Sequence, residues 1–98
     1  MPEFRLSKAA QTDVRGIARY TQKEWGRAQR RRYLDGLQEK FEALSLTPRR
    51  AAERLDFDPP VRIYPYEKHL IVYVIDDGGI LIIRVLHQSM NVPAHLPS

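Results

Sequence analysis

The sequence has 98 residues, which is enough for one small domain spanning residues 1–98 but not for two hydrophobic cores. Apolar residues make up 43% of the chain and cysteine is absent, so the composition excludes a disordered chain, a disulfide scaffold and a thiolate zinc site. The net charge of +4 favours a partner with a negative surface, namely nucleic acid, a nucleoprotein machine or an acidic protein segment.

The N-terminal half predicts one short strand followed by two long helices. Alternating side chains predict the strand at Phe4–Leu6, and Ser7 is placed to cap the next helix. Apolar and small residues recur at helical spacing across Lys8–Trp25. Gly26 breaks this pattern and suits a left-handed helix end. A second apolar stripe predicts a helix from about Arg27 to Leu46, so the two helices form an antiparallel hairpin.

Two glycines inside these helices suggest a close approach between them. Gly16 and Gly36 lie equally far from Gly26, and each costs about 1 kcal/mol relative to alanine inside a helix. We expect them to face each other across the hairpin, where the missing side chains bring the helices together. The alternative is that one or both point into solvent.

The C-terminal half predicts an irregular connector and a three-stranded meander. The connector covers Pro48–Pro60, and a strand follows at Val61–Tyr66. Two further β-branched runs, His69–Asp76 and Ile80–Leu86, flank Asp77-Gly78-Gly79. Asp-Gly and Gly-Gly pairs are the strongest signals for a tight hairpin, because its central residues need positive φ.

The alternation of side chains along the strands sorts the sheet into two faces. If Glu67-Lys68 is a two-residue turn, Tyr66 pairs with His69 and Arg62 with Tyr73. One face is apolar and is expected to pack on the helices: Val61, Ile63, Leu70, Val72, Val74, Leu81, Ile83 and Val85. The other face is mixed and is the candidate functional face: Arg62, Tyr64, Tyr66, His69, Tyr73 and Arg84, among Ile71, Ile75, Ile82 and Leu86.

The mixed face has a second interpretation, in which the tail from Met90 to Ser98 covers it. His87 falls at the end of the apolar face, where a partly buried, hydrogen-bonded histidine is expected. His69, His87 and His95 have no ligand spacing, so no metal site is predicted. No cofactor motif is present. No apolar run reaches the length of a membrane span, and the first residues lack the apolar stretch of a signal peptide, so a cytoplasmic protein is expected.

Taken together and in order, the motifs resemble those of the RelE/ParE toxins of bacterial type II toxin–antitoxin systems, and the ParE branch most closely. The matching pieces are L-S-x-x-A-x-x-D from Leu6, Y-T-x-x-x-W-G from Tyr20 and R-V-L-H-x-x-M from Arg84. The implied fold is α+β: an N-terminal strand, an antiparallel helical hairpin, and a three-stranded antiparallel meander packed on the helices.

The resemblance implies a toxin that is held inactive in a hetero-oligomer with a cognate, ParD-like antitoxin. Such antitoxins usually have a DNA-binding ribbon–helix–helix N-terminal part, so operator DNA would be contacted only indirectly, through the antitoxin. ParE-type toxins inhibit DNA gyrase, whereas RelE-type relatives cleave mRNA on the ribosome. The chain departs from many ParE-like tails, which continue R-M-D after the histidine, where it has Ser89-Met90-Asn91.

The branches differ in the chemistry they need. An endoribonuclease needs proton-transfer groups and cations that stabilise charge at the phosphate. If the chain is a ribonuclease, its catalytic set would be Arg62, Arg84, His87 and Tyr66. The lysines that RelE-like enzymes carry around the cleft are missing, since Lys68 is the only lysine after Lys40. We therefore favour gyrase inhibition by binding, with ribosome-dependent mRNA cleavage, or a degenerate and non-toxic family member, as alternatives.

Two basic regions are candidates for contact with an acidic antitoxin tail. The residues are Arg27, Arg30 and Arg31 at the start of the second helix, and Arg49, Arg50 and Arg54 in the connector. The alternative for each arginine is a solvated surface position. The antitoxin could also lay a helix along the hairpin or add a strand to a sheet edge.

Overall fold

The computed structural model of the protein describes residues 3–96. Its elements are β1 (Phe4–Leu6), α1 (Lys8–Trp25), α2 (Arg27–Leu46), β2 (Glu53–Arg54), β3 (Val61–Tyr66), β4 (His69–Asp76), β5 (Gly79–His87) and a 3₁₀ turn at Val92–His95. The predicted α+β class and element order are confirmed. The short strand β2 and the 3₁₀ turn were not predicted.

The strands form one five-stranded sheet in the order β1-β5-β4-β3-β2. β1 runs parallel to β5, and the other neighbours are antiparallel. The predicted pairs Tyr66–His69 and Arg62–Tyr73 are both present. Asp76 pairs with Gly79, so the last hairpin turns through two residues, as its sequence indicated. β1 ends opposite Ile82, which leaves the rest of β5 as an open edge.

Local contacts account for the helical hairpin. The Ser7 side chain caps α1 by accepting a hydrogen bond of 3.0 Å from the Ala10 N–H. Gly26 joins the helices with φ of +90°, a conformation that L side chains rarely adopt. α1 and α2 then bury Ile17, Leu37 and other apolar residues against one face of the sheet.

The face that packs on the helices is the mixed face, so the predicted orientation of the sheet is wrong. The inner face, against the helices, buries Ile71, Tyr73, Ile80, Ile82 and Val85, with Tyr64, Tyr66 and Ile75 partly buried beside them. The outer face carries Val61, Val72 and Leu86, with Ile63, Val74 and Ile83 packed against them. Most of the apolar set predicted for the helices thus lies outside.

Tyrosine chemistry explains this inversion. The rings bury apolar area, while each hydroxyl needs one hydrogen-bond partner. Tyr73 is 0% exposed, and its hydroxyl donates to the Pro48 carbonyl at 2.8 Å. The Tyr66 hydroxyl donates to the Tyr33 carbonyl of α2 at 3.2 Å. α2 and the connector that follows it supply these carbonyls, so the tyrosines predicted at the surface are core residues.

A bulge in β5 removes Arg84 from the mixed face on which it was predicted. The register between β4 and β5 shifts at Val72/Tyr73, because Val72 pairs with Arg84 whereas Tyr73 pairs with Ile82. The extra residue reverses the alternation along β5. Arg84 therefore lies opposite Val72, and Val85 turns into the core on the helix side.

The outer face is covered by the chain's own C-terminal segment. Val92 and Leu96 pack on the Val61–Val72–Leu86 cluster together with Phe57 of the connector. The tail therefore covers the sheet, but it covers the outer face and not the mixed face for which this was considered. Its last residues, 97–98, lie outside the described part of the chain. Among the described residues, neither α1 nor α2 has an apolar stretch long enough to cross a membrane.

The glycine pair does not bring the helices together. A Cβ on Gly16 would meet nothing within 4 Å, and Gly16 is exposed. A Cβ on Gly36 would lie 2.1 Å from the Tyr66 hydroxyl oxygen. The missing side chain at Gly36 makes room for a tyrosine of the sheet and not for the partner helix, so the hypothesis of a glycine contact is wrong.

Candidate functional site

Arg84 lies in a three-way contact at the open edge of the sheet. Its Nε and Nη2 donate to the two carboxylate oxygens of Asp13 on α1, at 2.8 and 2.9 Å. Its Nη1 donates to the His95 carbonyl at 2.9 Å. Asp13 and Arg84 are only 13% and 22% exposed. The hydrogen bonds that the guanidinium donates to Asp13 raise the pKa of Arg84, so Arg84 joins helix, sheet and tail as a paired cation.

Asp13 also completes the open edge of β5. Its Oδ2 accepts a hydrogen bond of 2.9 Å from the Val85 N–H, and the Ser7 hydroxyl donates to the Ile83 carbonyl at 2.7 Å. These side chains take positions that a further strand would otherwise use. Asp13 was missed as a functional candidate, although it is the last residue of the L-S-x-x-A-x-x-D motif.

Arg62 lies at the other side of the sheet. Its Nη1 donates to the Ala51 carbonyl at 2.6 Å, and its strand is separated from β5 by β4. By their cross-strand pairs, five of the six predicted residues share one face, as expected: Arg62, Tyr64, Tyr66, His69 and Tyr73. That face lies against the helices and is not open, and the bulge removes Arg84 from it, so the prediction of an open face with Arg84 on it is wrong.

An aromatic groove, of about 980 Å³, opens between α1 and the free edge of β5. The residues that line it include Gly16, Tyr20 and Trp25 of α1, Tyr33 of α2, the Tyr66–His69 turn, Val85, His87 and Met90. Tyr20 is 63% exposed and Trp25 70% exposed, although both are large apolar side chains. Exposed aromatics around a groove are typical of binding surfaces. Trp25 belongs to the apolar stripe that predicted α1, and nothing in the sequence pattern singled out Tyr20.

Two histidines lie beside each other in the groove. His69 and His87 are cross-strand neighbours with ring centroids 5.4 Å apart. The Nδ1 of His69 contacts the Tyr33 hydroxyl, and the Nδ1 of His87 lies 2.8 Å from Ser89 Oγ. His87 is thus partly buried and hydrogen-bonded, as expected. His69 and Tyr66 are the members of the predicted face that do line the groove.

Burial sets the protonation of this cluster. Burial, followed by the neighbouring His87, lowers the pKa of His69 below its usual value. Burial, followed by the nearby Tyr66, raises the pKa of Tyr33 to about 12. The pKa of Tyr66 is also raised, again mainly by burial. At neutral pH the side chains of His69, Tyr33 and Tyr66 are therefore uncharged, and this part of the groove suits the apolar face of an amphipathic ligand.

The two basic regions lie at opposite ends of α2. Arg27, Arg30 and Arg31 are exposed in its first turns. Beyond its other end, about 30 Å away along a 20-residue helix, the connector carries Arg49, Arg50 and Arg54. Arg54 is paired with Asp56. The regions do not form one surface, and contact of either with an acidic antitoxin segment stays a prediction.

The described residues contain no cluster of His, Cys, Asp or Glu side chains that could hold a metal ion. The groove carries His69 and His87 as its nitrogen donors, and its carboxylate Asp13 is already bound to Arg84. The exposed aromatic side chains around the groove, Tyr20 and Trp25, are what a bound macromolecule could cover.

Both the fold and the sequence match those of known proteins. A solved structure described as "Chromosomal ParDE TA system from P. aeruginosa" superposes with a TM-score of 0.75 and 18% sequence identity, over 89% of this chain and 96% of the other. Residues 4–92 match the family described as ParE toxin of type II toxin-antitoxin system, parDE.

Two relatives match at the level of sequence. Toxin ParE of Escherichia coli is 31% identical over 97 residues, which cover 98% of this chain and 94% of the relative. Toxin ParE1 of Caulobacter vibrioides is 33% identical over 96 residues, which cover 98% and 99%. The chain therefore belongs to the ParE family of type II toxins, and the predicted family is confirmed.

Proposed function

We propose that this ParE-type toxin acts in the cytoplasm as a single domain, inhibits DNA gyrase by binding it, and is neutralised by a cognate ParD-like antitoxin with a ribbon–helix–helix part. The observation that carries the proposal is family membership over nearly the whole chain, from residue 4 to residue 92. The lengths of the relatives match as well, since the alignments cover 94% and 99% of them.

The positions of the arginines favour binding over catalysis. Cleavage of RNA needs cations that can approach the reacting phosphate. Arg84 is held by a carboxylate and a carbonyl, and Arg62 by a carbonyl two strands away. His87 and Tyr66, the proposed proton-transfer groups, line the groove without either arginine. The set of four that a ribonuclease would use is therefore dispersed.

The aromatic groove is our proposed docking site for the antitoxin. Its exposed Tyr20 and Trp25 can bury large apolar areas at little entropic cost, as binding hot spots do. The uncharged His69–Tyr33 floor favours an apolar helix face over a charged segment.

The mode of docking is a helix in the groove and not an added strand. An added strand would need the free backbone groups of β5. The Val85 N–H already donates to Asp13, and the Ile83 carbonyl already accepts from Ser7. A helix makes its backbone hydrogen bonds internally and needs only apolar contacts with the exposed aromatic side chains of the groove. It can therefore bind without breaking these hydrogen bonds.

Expression of the toxin alone in bacterial cells tests the proposal. We expect growth arrest with halted DNA synthesis and intact mRNA, relieved by co-expression of the neighbouring antitoxin gene. A matched strain that produces the Trp25→Ala toxin at the same level should also arrest growth, but co-expression of the antitoxin should no longer relieve the arrest. Arrest with cleaved mRNA and continuing DNA synthesis would overturn gyrase as the target, and an absence of arrest would indicate a degenerate toxin.

A further inference from the structure

Four arginines in the first six residues of α2 form a ridge, and three of them, Arg27, Arg30 and Arg31, lie outside the aromatic groove, which Arg32 lines. This arginine ridge consists of Arg27, Arg30, Arg31 and Arg32, all of them exposed. Residues three and four apart share a helix face, so Arg27, Arg30 and Arg31 project together. They line one shallow cleft with Gln22, Leu34 and Asp35.

The charges of the ridge are oriented but not neutralised. The ion pairs found within residues 3–96 involve none of the four arginines. Arg30 Nη1 instead donates to the Gln22 side-chain oxygen at 2.6 Å, and Arg32 Nη1 donates to that of Gln29 at 3.0 Å. A neutral amide fixes the position of a guanidinium and leaves its full charge available. Arg30 and Arg32 are therefore held in place while their charges stay available for an anion.

The ridge also stands at the wrong end of its helix for stability. The N-terminal end of a helix carries a partial positive charge, which disfavours cations and favours carboxylates. The first turn of α2 contains no acidic residue and no side-chain cap. Four cations at this end therefore oppose the helix dipole and each other, a cost that a polyanionic ligand would remove.

We propose that the arginine ridge binds the phosphate backbone of nucleic acid, without reading its sequence. Arg27 and Arg31 lie about 6 Å apart along the helix axis, whereas duplex DNA presents one charge per about 1.7 Å of its axis. Several guanidinium groups can thus contact phosphates at once, and the planar group binds phosphate oxygens in pairs.

The composition of the ridge favours nucleic acid over an acidic peptide. Protein–protein interfaces are depleted of charge at their core and depend on apolar anchors, whereas nucleic-acid interfaces are polar and strongly cationic. Leu34, half-buried, is the apolar residue of the ridge cleft. The exposed aromatic residues of this part of the molecule line the groove instead.

Fluorescence anisotropy with labelled duplexes of mixed sequence tests the proposal on the isolated toxin. We expect binding whose logarithmic affinity falls with the logarithm of the salt concentration at a slope of about −2.7, for about three neutralised phosphates. The triple variant R27Q/R30Q/R31Q should lose at least about tenfold in affinity at low salt, and its slope should fall towards zero. DNA and RNA duplexes of equal length are compared to identify which backbone is preferred.

The triple variant R49Q/R50Q/R54Q is the matched control, because it removes the same charge from the other basic region. We expect it to keep most of the affinity and of the salt slope. Equal losses in both triple variants would overturn the proposal in favour of net charge alone. A polyglutamate peptide of equal charge that binds the ridge more tightly than either duplex would overturn it in favour of an acidic protein. If the ridge variant does not fold, the single variants R27Q and R31Q are measured instead. Each of them has to make the salt slope less steep by about one unit.

Discussion

Removal of the Asp13 carboxylate is the sharpest perturbation of this fold. In Asp13→Ala, the Arg84 guanidinium loses two charge-assisted hydrogen bonds, and the Val85 N–H loses its acceptor. A half-buried cation and an edge amide are then both without partners. We expect a large destabilisation, because an unsatisfied buried group costs more than its hydrogen bond contributed.

The magnitude follows from the burial of the pair. Breaking a fully buried ion pair from one side costs about 3–5 kcal/mol. Arg84 keeps 22% of its side-chain surface exposed and retains the His95 carbonyl, so water can partly replace the carboxylate. We therefore expect a loss of about 2–3 kcal/mol, or about 10–20 °C in Tm for a domain of this size. Asp13→Asn keeps one oxygen acceptor and should lose about half as much.

Urea unfolding followed by far-UV circular dichroism measures the free energy of unfolding of each variant. Asp35→Ala is the matched control, because Asp35 is an exposed carboxylate on α2 outside the ion pairs of the described residues. It should change the free energy of unfolding by no more than about 0.5 kcal/mol. If Asp13→Ala costs no more than Asp35→Ala, Arg84 is not a structural cation and this account of the edge is refuted.

Three further predictions follow from the groove and its surroundings. Gly36→Ala should destabilise the protein by about 1–3 kcal/mol in thermal unfolding, because its Cβ overlaps a tyrosine hydroxyl of the sheet. Gly16→Ala meets open space and should stabilise the protein by up to about 1 kcal/mol. Equal effects of the two substitutions would contradict the contact between Gly36 and the tyrosine. The free energy of unfolding should fall between pH ~10 and ~12, because the pKa of Tyr33 is raised to about 12 in the folded state, which favours the protonated side chain. If Tyr33→Phe shows the same fall of stability with alkaline pH as the native chain, this assignment is refuted. Trp25→Ala should weaken antitoxin binding at least about tenfold by calorimetry, whereas the equally exposed Leu55→Ala, outside the groove, should leave it unchanged.

The sequence predicted the elements well because their signals are local. Ser7 at the helix start, Gly26 between the helices and Asp77-Gly78 in the hairpin act within a few residues of their position. The pairing of β3 with β4 also followed from the length of one turn. Each of these features depends on backbone geometry that nearby residues impose.

The placement of the site could not be predicted, because it depends on long-range contacts. A single bulge at Val72/Tyr73 reverses the alternation of β5, and hydrophobicity alone does not reveal it. The inner face was misassigned because Tyr73 looks polar until the Pro48 carbonyl satisfies its hydroxyl. Asp13 lies 71 residues before Arg84 along the chain, so no local pattern joins them.

The groove was missed for a related reason. Trp25 belongs to the helical stripe of α1, and a stripe usually indicates burial. The stripe is buried at Ala10, Ile17, Ala18 and Thr21, but Trp25, the last residue of α1, remains 70% exposed. A large aromatic residue at the last position of a helix, directly before the glycine that ends it, is the signal that would have indicated a binding surface.

DNA supercoiling by purified gyrase is the most direct test of the central claim, that this toxin inhibits gyrase by binding. We expect added toxin to inhibit supercoiling in a concentration-dependent way, with Arg62→Gln as active as the native chain at equal folded concentration. Antitoxin added in equal amount should restore supercoiling. Undiminished supercoiling at every toxin concentration, in a preparation that binds its antitoxin, would contradict the account.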